Sequence, residues 1–152
     1  MISNFFKKEV SKENINDKDK LIKITALLIH AAKVDENYSD NEKAIISNFL
    51  KSSNKDIDVN SIIKKAEENE SNSNQILKYT QEIKNNTLEF RTKIVKVLWQ
   101  IILSDNKSDI YESSLMRRIC GLLYLPDKLS GKIKLEILEK RKLWPTLSKM
   151  NV

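Results

Sequence analysis

Two stretches of this chain follow one pattern, and that pattern limits what the chain can fold into. Leu27 to Leu50 reads LLIHAAKVDENYSDNEKAIISNFL, and Val97 to Cys120 reads VLWQIILSDNKSDIYESSLMRRIC. Aligned without a gap, each gives an apolar run, an Asp, six residues, a Glu and a second apolar run. The same offset of 70 residues separates Asp35 from Asp105 and Glu42 from Glu112. Apolar residues on both sides of each polar hinge recur at helical spacing. The pair therefore reads as one helix–loop–helix unit used twice. The fold expected is all-α: a single-domain bundle of about six to eight helices with an internal pseudo-two-fold repeat. The repeat units fall at about 20–52 and 88–125, inside a domain spanning 19–152.

Composition narrows the alternatives. Only 2 Gly and 2 Pro occur among 152 residues, too few for the turns of an all-β fold. Gly121 and Gly131 alone cannot build a glycine-rich phosphate loop. A single cysteine, Cys120, excludes an intramolecular disulfide and a multi-cysteine metal site. Its apolar neighbours Ile119, Leu122 and Leu123 suit a buried thiol. Net charge is +6, but the lysines alternate with acidic and small polar residues. No clean basic stripe results, so nucleic acid is not the expected partner. No apolar stretch approaches the ~20 residues of a membrane-spanning helix. The N-terminus lacks the apolar core of a signal peptide, so the cytoplasm is the expected location.

Taken in order, residues 1–18 form an N-terminal segment in which Ile2, Phe5, Phe6 and Val10 share one side of a short helix. With Lys7, Lys8 and Lys12 beside them, that segment suits either a fold back onto the core or a membrane-surface contact. The first long helix is expected from about Lys18 to Lys33, on Leu21, Ile24, Leu28 and Ala31. The second starts near Ser39 and carries Ile45, Ile46, Phe49 and Leu50. Two short polar helices follow, about Val59 to Glu70 and Ile76 to Lys84, and belong on the outside. From about Thr87 the helix of Phe90, Ile94, Leu98 and Ile101 is apolar around much of its girth and belongs at the centre. The next helix stops before Pro126, and a last one carries Leu129, Ile133, Ile137 and Trp144 until Pro145 ends it. Core packing is the expected role of Trp99 and Trp144.

The hinges carry the candidate chemistry. Ser39-Asp40-Asn41-Glu42 has the form of a capping box, and Asp109-Ile110-Tyr111-Glu112 repeats it with Asp as the cap. Asp35 and Asp105 fall where the preceding helix ends, facing the negative end of its dipole. An Asx-turn could offset that, and so could a cation. Asp35, Glu36, Asp40 and Glu42 give the first hinge four carboxylates; Asp105, Asp109 and Glu112 give the second three. Hard oxygen ligands of this kind suit calcium or magnesium. The spacing is not that of an EF-hand, because the twelfth loop position is Ile46 or Met116 where a bidentate Glu is required. On the residues alone, structural turns lead a metal site, since capping accounts for half of the pattern. His30 and its counterpart Gln100 lie five residues before each Asp, a poor helical spacing for joint ligation. No nucleophile sits beside a base, and one histidine leaves little for acid–base catalysis.

These hinges, with Leu98-Trp99-Gln100-Ile101-Ile102-Leu103-Ser104-Asp105 leading into the second, resemble the TerB-like tellurite-resistance family. That family's pattern is a helix ending in Ala-Asp-Gly, a short loop, and a Glu opening the next helix, given twice. Lys33-Val34-Asp35 and Ser104-Asp105 stand for the first part here, and Glu42 and Glu112 for the Glu. The resemblance covers roughly Lys20 to Leu125. It implies a helical bundle of two pseudo-equivalent halves with no established enzymatic activity, and a metal-binding or metal-sensing role in a stress response near the membrane. An unidentified protein partner is expected to receive that signal. The resemblance also implies a candidate metal site at Asp35, Glu42, Asp105 and Glu112. The chain departs from the family at Glu36 and Asn106, where the family has Gly, and at His30, where the family often has an acidic residue.

Overall fold

The structure is a computed structural model that describes residues 18–34, 38–72, 76–105 and 110–150, with the side chains of 72, 105, 110–112 and 141–150 left aside. Among the described residues seven α-helices follow in order: α1 (Lys18–Ala32), α2 (Asp40–Ser53), α3 (Val59–Asn72), α4 (Ile76–Lys84), α5 (Leu88–Ile102), α6 (Ile110–Leu122) and α7 (Asp127–Met150). A 3₁₀ turn at Leu103–Asp105 follows α5 directly. The described residues contain no strand. The all-α bundle expected from the sequence is what the chain forms. Both acidic hinges lie between helices. The expected N-terminal helix of Phe5 and Phe6 lies outside the described residues.

Two helices share the centre. The expected one, α5, packs on α1, α2, α4, α6 and α7. Phe90, Ile94, Val95, Leu98, Trp99, Ile101 and Ile102 are all buried on it. The other is α1, which meets α2, α3, α4 and α5. Beyond the stripe read from the sequence, it also buries Ile22, Ala26, Leu27 and Ile29. The reason lies in α3 and α4. They are short, polar and peripheral, yet each carries a narrow apolar edge: Ile62 and Ala66 on one, Ile76, Tyr79 and Ile83 on the other. Those edges cover the far side of α1. Burying one large aliphatic side chain contributes about 1.5–3 kcal/mol, so α1 depends on these thin partners for much of its stability.

Polar ties lock the helices in register. Lys23 Nζ meets Glu82 Oε1 at 2.8 Å, and Lys20 Nζ donates to Asn86 Oδ1 at 3.2 Å, joining α1 to the end of α4. Trp99 Nε1 donates to Ser130 Oγ at 2.9 Å, joining α5 to α7. Trp99 is thus a core residue with its one polar atom satisfied, as its apolar setting implied. Cys120 is buried, and that burial, the leading cause, pushes its thiol pKa upward. An inert thiol follows.

Capping explains where the helices begin and end. Thr87 Oγ1 accepts from Phe90 N at 3.2 Å at the start of α5. At the end of α6, Leu125 N donates to Cys120 O at 2.9 Å and Tyr124 N to Gly121 O at 3.3 Å. That pattern is a Schellman motif, whose left-handed position usually holds Gly. Here it holds Tyr124, at φ 56°. Arg91 reaches across from α5 and donates from Nη1 to Leu123 O at 2.8 Å, so a cation also occupies this helix terminus.

One boundary differs from the sequence reading. The last helix runs through Pro145 to Met150, where Pro145 was expected to end it. A proline removes one backbone donor and crowds one carbonyl; that cost can bend a helix without stopping it when the flanking residues, here Leu143 and Leu147 among lysines, are helix formers.

The left-handed backbone at Tyr124 yields a prediction. A side chain there costs about 1–2 kcal/mol relative to Gly, against which Tyr124 offers only an exposed ring 5.9 Å from Lys84 Nζ. Tyr124→Gly should stabilise the protein by about 0.5–1 kcal/mol, read as a higher urea midpoint with an unchanged slope.

Candidate functional site

The first hinge meets the C-terminal end of α1, the start of α2 and the end of α3. Ser39 caps α2 with extended backbone, and the capping box is complete. Glu42 Oε1 accepts from Ser39 N at 2.9 Å and from Ser39 Oγ at 2.9 Å, while Glu42 N donates to Ser39 Oγ at 3.4 Å. Glu42 is only 3% exposed. An ionised side chain buried to that degree requires bonded partners, and the cap supplies two.

Further side chains gather at this end. Glu70, on α3, is 6% exposed. Its Oε2 accepts from Lys33 Nζ at 2.8 Å, and His30 Nδ1 lies 3.4 Å from its Oε1, an ion pair whenever the imidazole is protonated. Pairing of this kind keeps a buried carboxylate from being strongly destabilising. Tyr38 stands just before the cap, with Lys43 Nζ 4.8 Å from its ring centroid. Its hydroxyl is buried and has no hydrogen-bond partner among the described residues. Burial first, then the negative fields of Glu67, Glu42 and Glu70, raises its pKa well above the ordinary tyrosine value. The hydroxyl therefore stays protonated, a neutral oxygen facing an electronegative pocket.

The predicted site residues divide as follows. Glu42 is described, and its role as N3 of a capping box is as the sequence indicated. Asp35 lies outside the described residues, three positions before Tyr38 in the sequence. Asp105 closes the 3₁₀ turn after α5, and Glu112 lies in the first turn of α6; the side chains of both lie outside the described residues. The same holds for Asp109 and the second capping box. Among the described residues, no three His, Cys, Asp or Glu side chains converge as a metal-ligating cluster. Both bonds from Ser39 fall on Glu42 Oε1. Oxygen donors of that type fit calcium or magnesium. His30 turns its Nδ1 toward Glu70.

Tyr38, Glu67 and Glu70 were not singled out by the sequence reading. Glu70 had a signal: it continues the Ile62, Ala66 spacing by one more helical turn, which puts a carboxylate on the buried stripe of α3. Lys33 follows Ile29 on α1 in the same way.

A family model, "Tellurite resistance protein TerB", matches residues 21–135. The chain belongs to the TerB family. The match takes in both hinges and every helix from α1 into the first half of α7. Neither a curated protein nor a solved structure gives a significant match. No helix among the described residues is long and apolar enough to cross a membrane.

Tyr38 sets a pH dependence. A folded-state pKa above the unfolded value near 10 gives stability that is present below about pH 10 and lost as pH rises through that value toward the folded one. Tyr38→Phe should therefore lose less stability than the parent between pH 9.5 and 11, as read by urea midpoints across that range. At neutral pH it should be neutral or stabilising by up to about 1 kcal/mol, because no hydrogen bond is lost.

Proposed function

We propose that this TerB-family domain binds a divalent cation, calcium or magnesium, at its acidic interhelical hinges and passes the bound state to a protein partner. The ligands in this reading are Asp35 and Glu42 at the first hinge and Asp105 and Glu112 at the second. The domain acts without catalysis, in the cytoplasm, in a response to metal or tellurite stress. Its N-terminal segment, 1–18, offers a route to the membrane surface through Phe5, Phe6 and the adjacent lysines.

One observation carries the reading. At the first hinge a buried Tyr38 hydroxyl, without a hydrogen-bond partner among the described residues, sits in the combined field of Glu42, Glu67 and Glu70. Such a concentration of carboxylates attracts a cation, and the sequence adds Asp35 and Glu36 to the same hinge. Helix dipoles work in the same direction. The C-terminal ends of α1 and α5 both point partial negative charge at a hinge. A single histidine and a buried Cys120 support the absence of catalysis.

Calcium titration of chelator-treated protein tests this. At about 100 times its dissociation constant, a cation adds about 2.7 kcal/mol, a rise in Tm of roughly 5–10 °C for a domain of this size. Asp35→Asn combined with Asp105→Asn should remove the rise. An unchanged Tm with both calcium and magnesium, or an undiminished rise in the double variant, refutes the site.

A second reading, a protein-interaction scaffold without a ligand, is favoured by the completed capping box, which accounts for Glu42 by itself. It predicts that Ser39→Ala costs about 1 kcal/mol in chelator, measured by urea unfolding, and that added metal changes nothing.

A further inference from the structure

Away from the hinges, α2, α5 and α7 enclose a cavity of about 730 Å³, open to solvent on one side. It shares no residue with the first hinge and does not depend on the cation reading. Its floor is apolar: Phe49, Val97, Ile133 and Ile137 all line it. Its rim is cationic, with Lys93, Lys96 and Lys140 against the one carboxylate of Glu136. None of the three ammonium groups has an ion-pair partner among the described residues; Lys93 Nζ instead stands 5.8 Å from the Phe49 ring centroid. Gln100, half-buried on the same wall, has no hydrogen-bond partner among the described residues.

Apolar walls with a few convergent polar groups, in a volume between roughly 300 and 1,000 Å³, are the form of a small-molecule site. The charge selects the ligand. Three like charges gathered with one counter-charge repel one another, and a bound anion relieves that repulsion. The length selects it further. The lining spans Ile45 to Ser52 on α2, Lys93 to Gln100 on α5 and Ile133 to Lys140 on α7, about two turns of each. At 1.5 Å per residue that is roughly 10 Å, a length that one medium-length acyl chain fills. We propose that this cavity binds a single-chain carboxylate amphiphile of medium length, its tail on Phe49, Val97 and Ile137 and its head between Lys93, Lys96 and Lys140, with the Gln100 amide as a donor.

Decanoate, kept below its micelle concentration, is the probe. Calorimetric titration of the full chain should show one bound decanoate per chain and a higher Tm. Decyltrimethylammonium, with the same tail and the opposite charge, should bind at least tenfold more weakly. Lys96→Glu with Lys140→Glu, both at exposed positions, should weaken decanoate at least tenfold while leaving the Tm without ligand within about 2 °C. Asn48→Trp, at the exposed rim, should block the mouth and weaken binding as a second, uncharged route. Equal affinity for the two amphiphiles, no effect of either substitution set, or binding to phosphatidylglycerol vesicles without binding to decanoate would overturn the proposal.

Discussion

The burial of α1 on nearly every side governs much of the architecture. A helix enclosed by α2, α3, α4 and α5 has no lateral surface on which to present polar chemistry. Its only access to water is at its ends. At the first end Lys20 and Lys23 reach out to Asn86 and Glu82. At the second His30 and Lys33 meet Glu70. The acidic hinge follows immediately. A polar site is thus confined to the end of α1 because the sides are occupied.

Within that enclosure one polar atom remains unsatisfied. Thr25 is fully buried in the middle of α1, and its hydroxyl has no partner among the described residues. A group in this position costs about 1–3 kcal/mol. The thin apolar edges of α3 and α4 must offset that cost, along with the burial of two paired charges nearby. These helices are short, so their attachment to α1 rests on few side chains: Ile62, Ala66, Tyr79 and Ile83. The Tyr79 hydroxyl, which donates to Asn69 O at 3.1 Å, ties them to each other.

Much of this could be read from residue spacing. Ser39 and Glu42 declared the start of α2, Thr87 that of α5, and the run from Phe90 to Ile102 its buried faces. The hinge positions followed from the repeated Asp and Glu, although the duplication itself stands on the sequence. What escaped were contacts between elements far apart in the chain. Glu70 meets Lys33 across 37 residues, and nothing local to either indicates the pairing. The second face of α1 was also missed. Ile22, Ala26 and Ile29 are apolar, but a single amphipathic stripe explained the helix well enough until α3 and α4 were seen to cover its back. Pro145 misled for a different reason: its local effect on the backbone is strong, and it was given the power to end a helix that continues past it.

Arg91 sits near the beginning of α5 and grips the carbonyl of Leu123 just beyond α6. The acidic segment that joins α5 to α6 leaves from the opposite ends of these same two helices. The pair is therefore fastened twice: by the continuous chain at one end and by a guanidinium clasp, one helix length away, at the other.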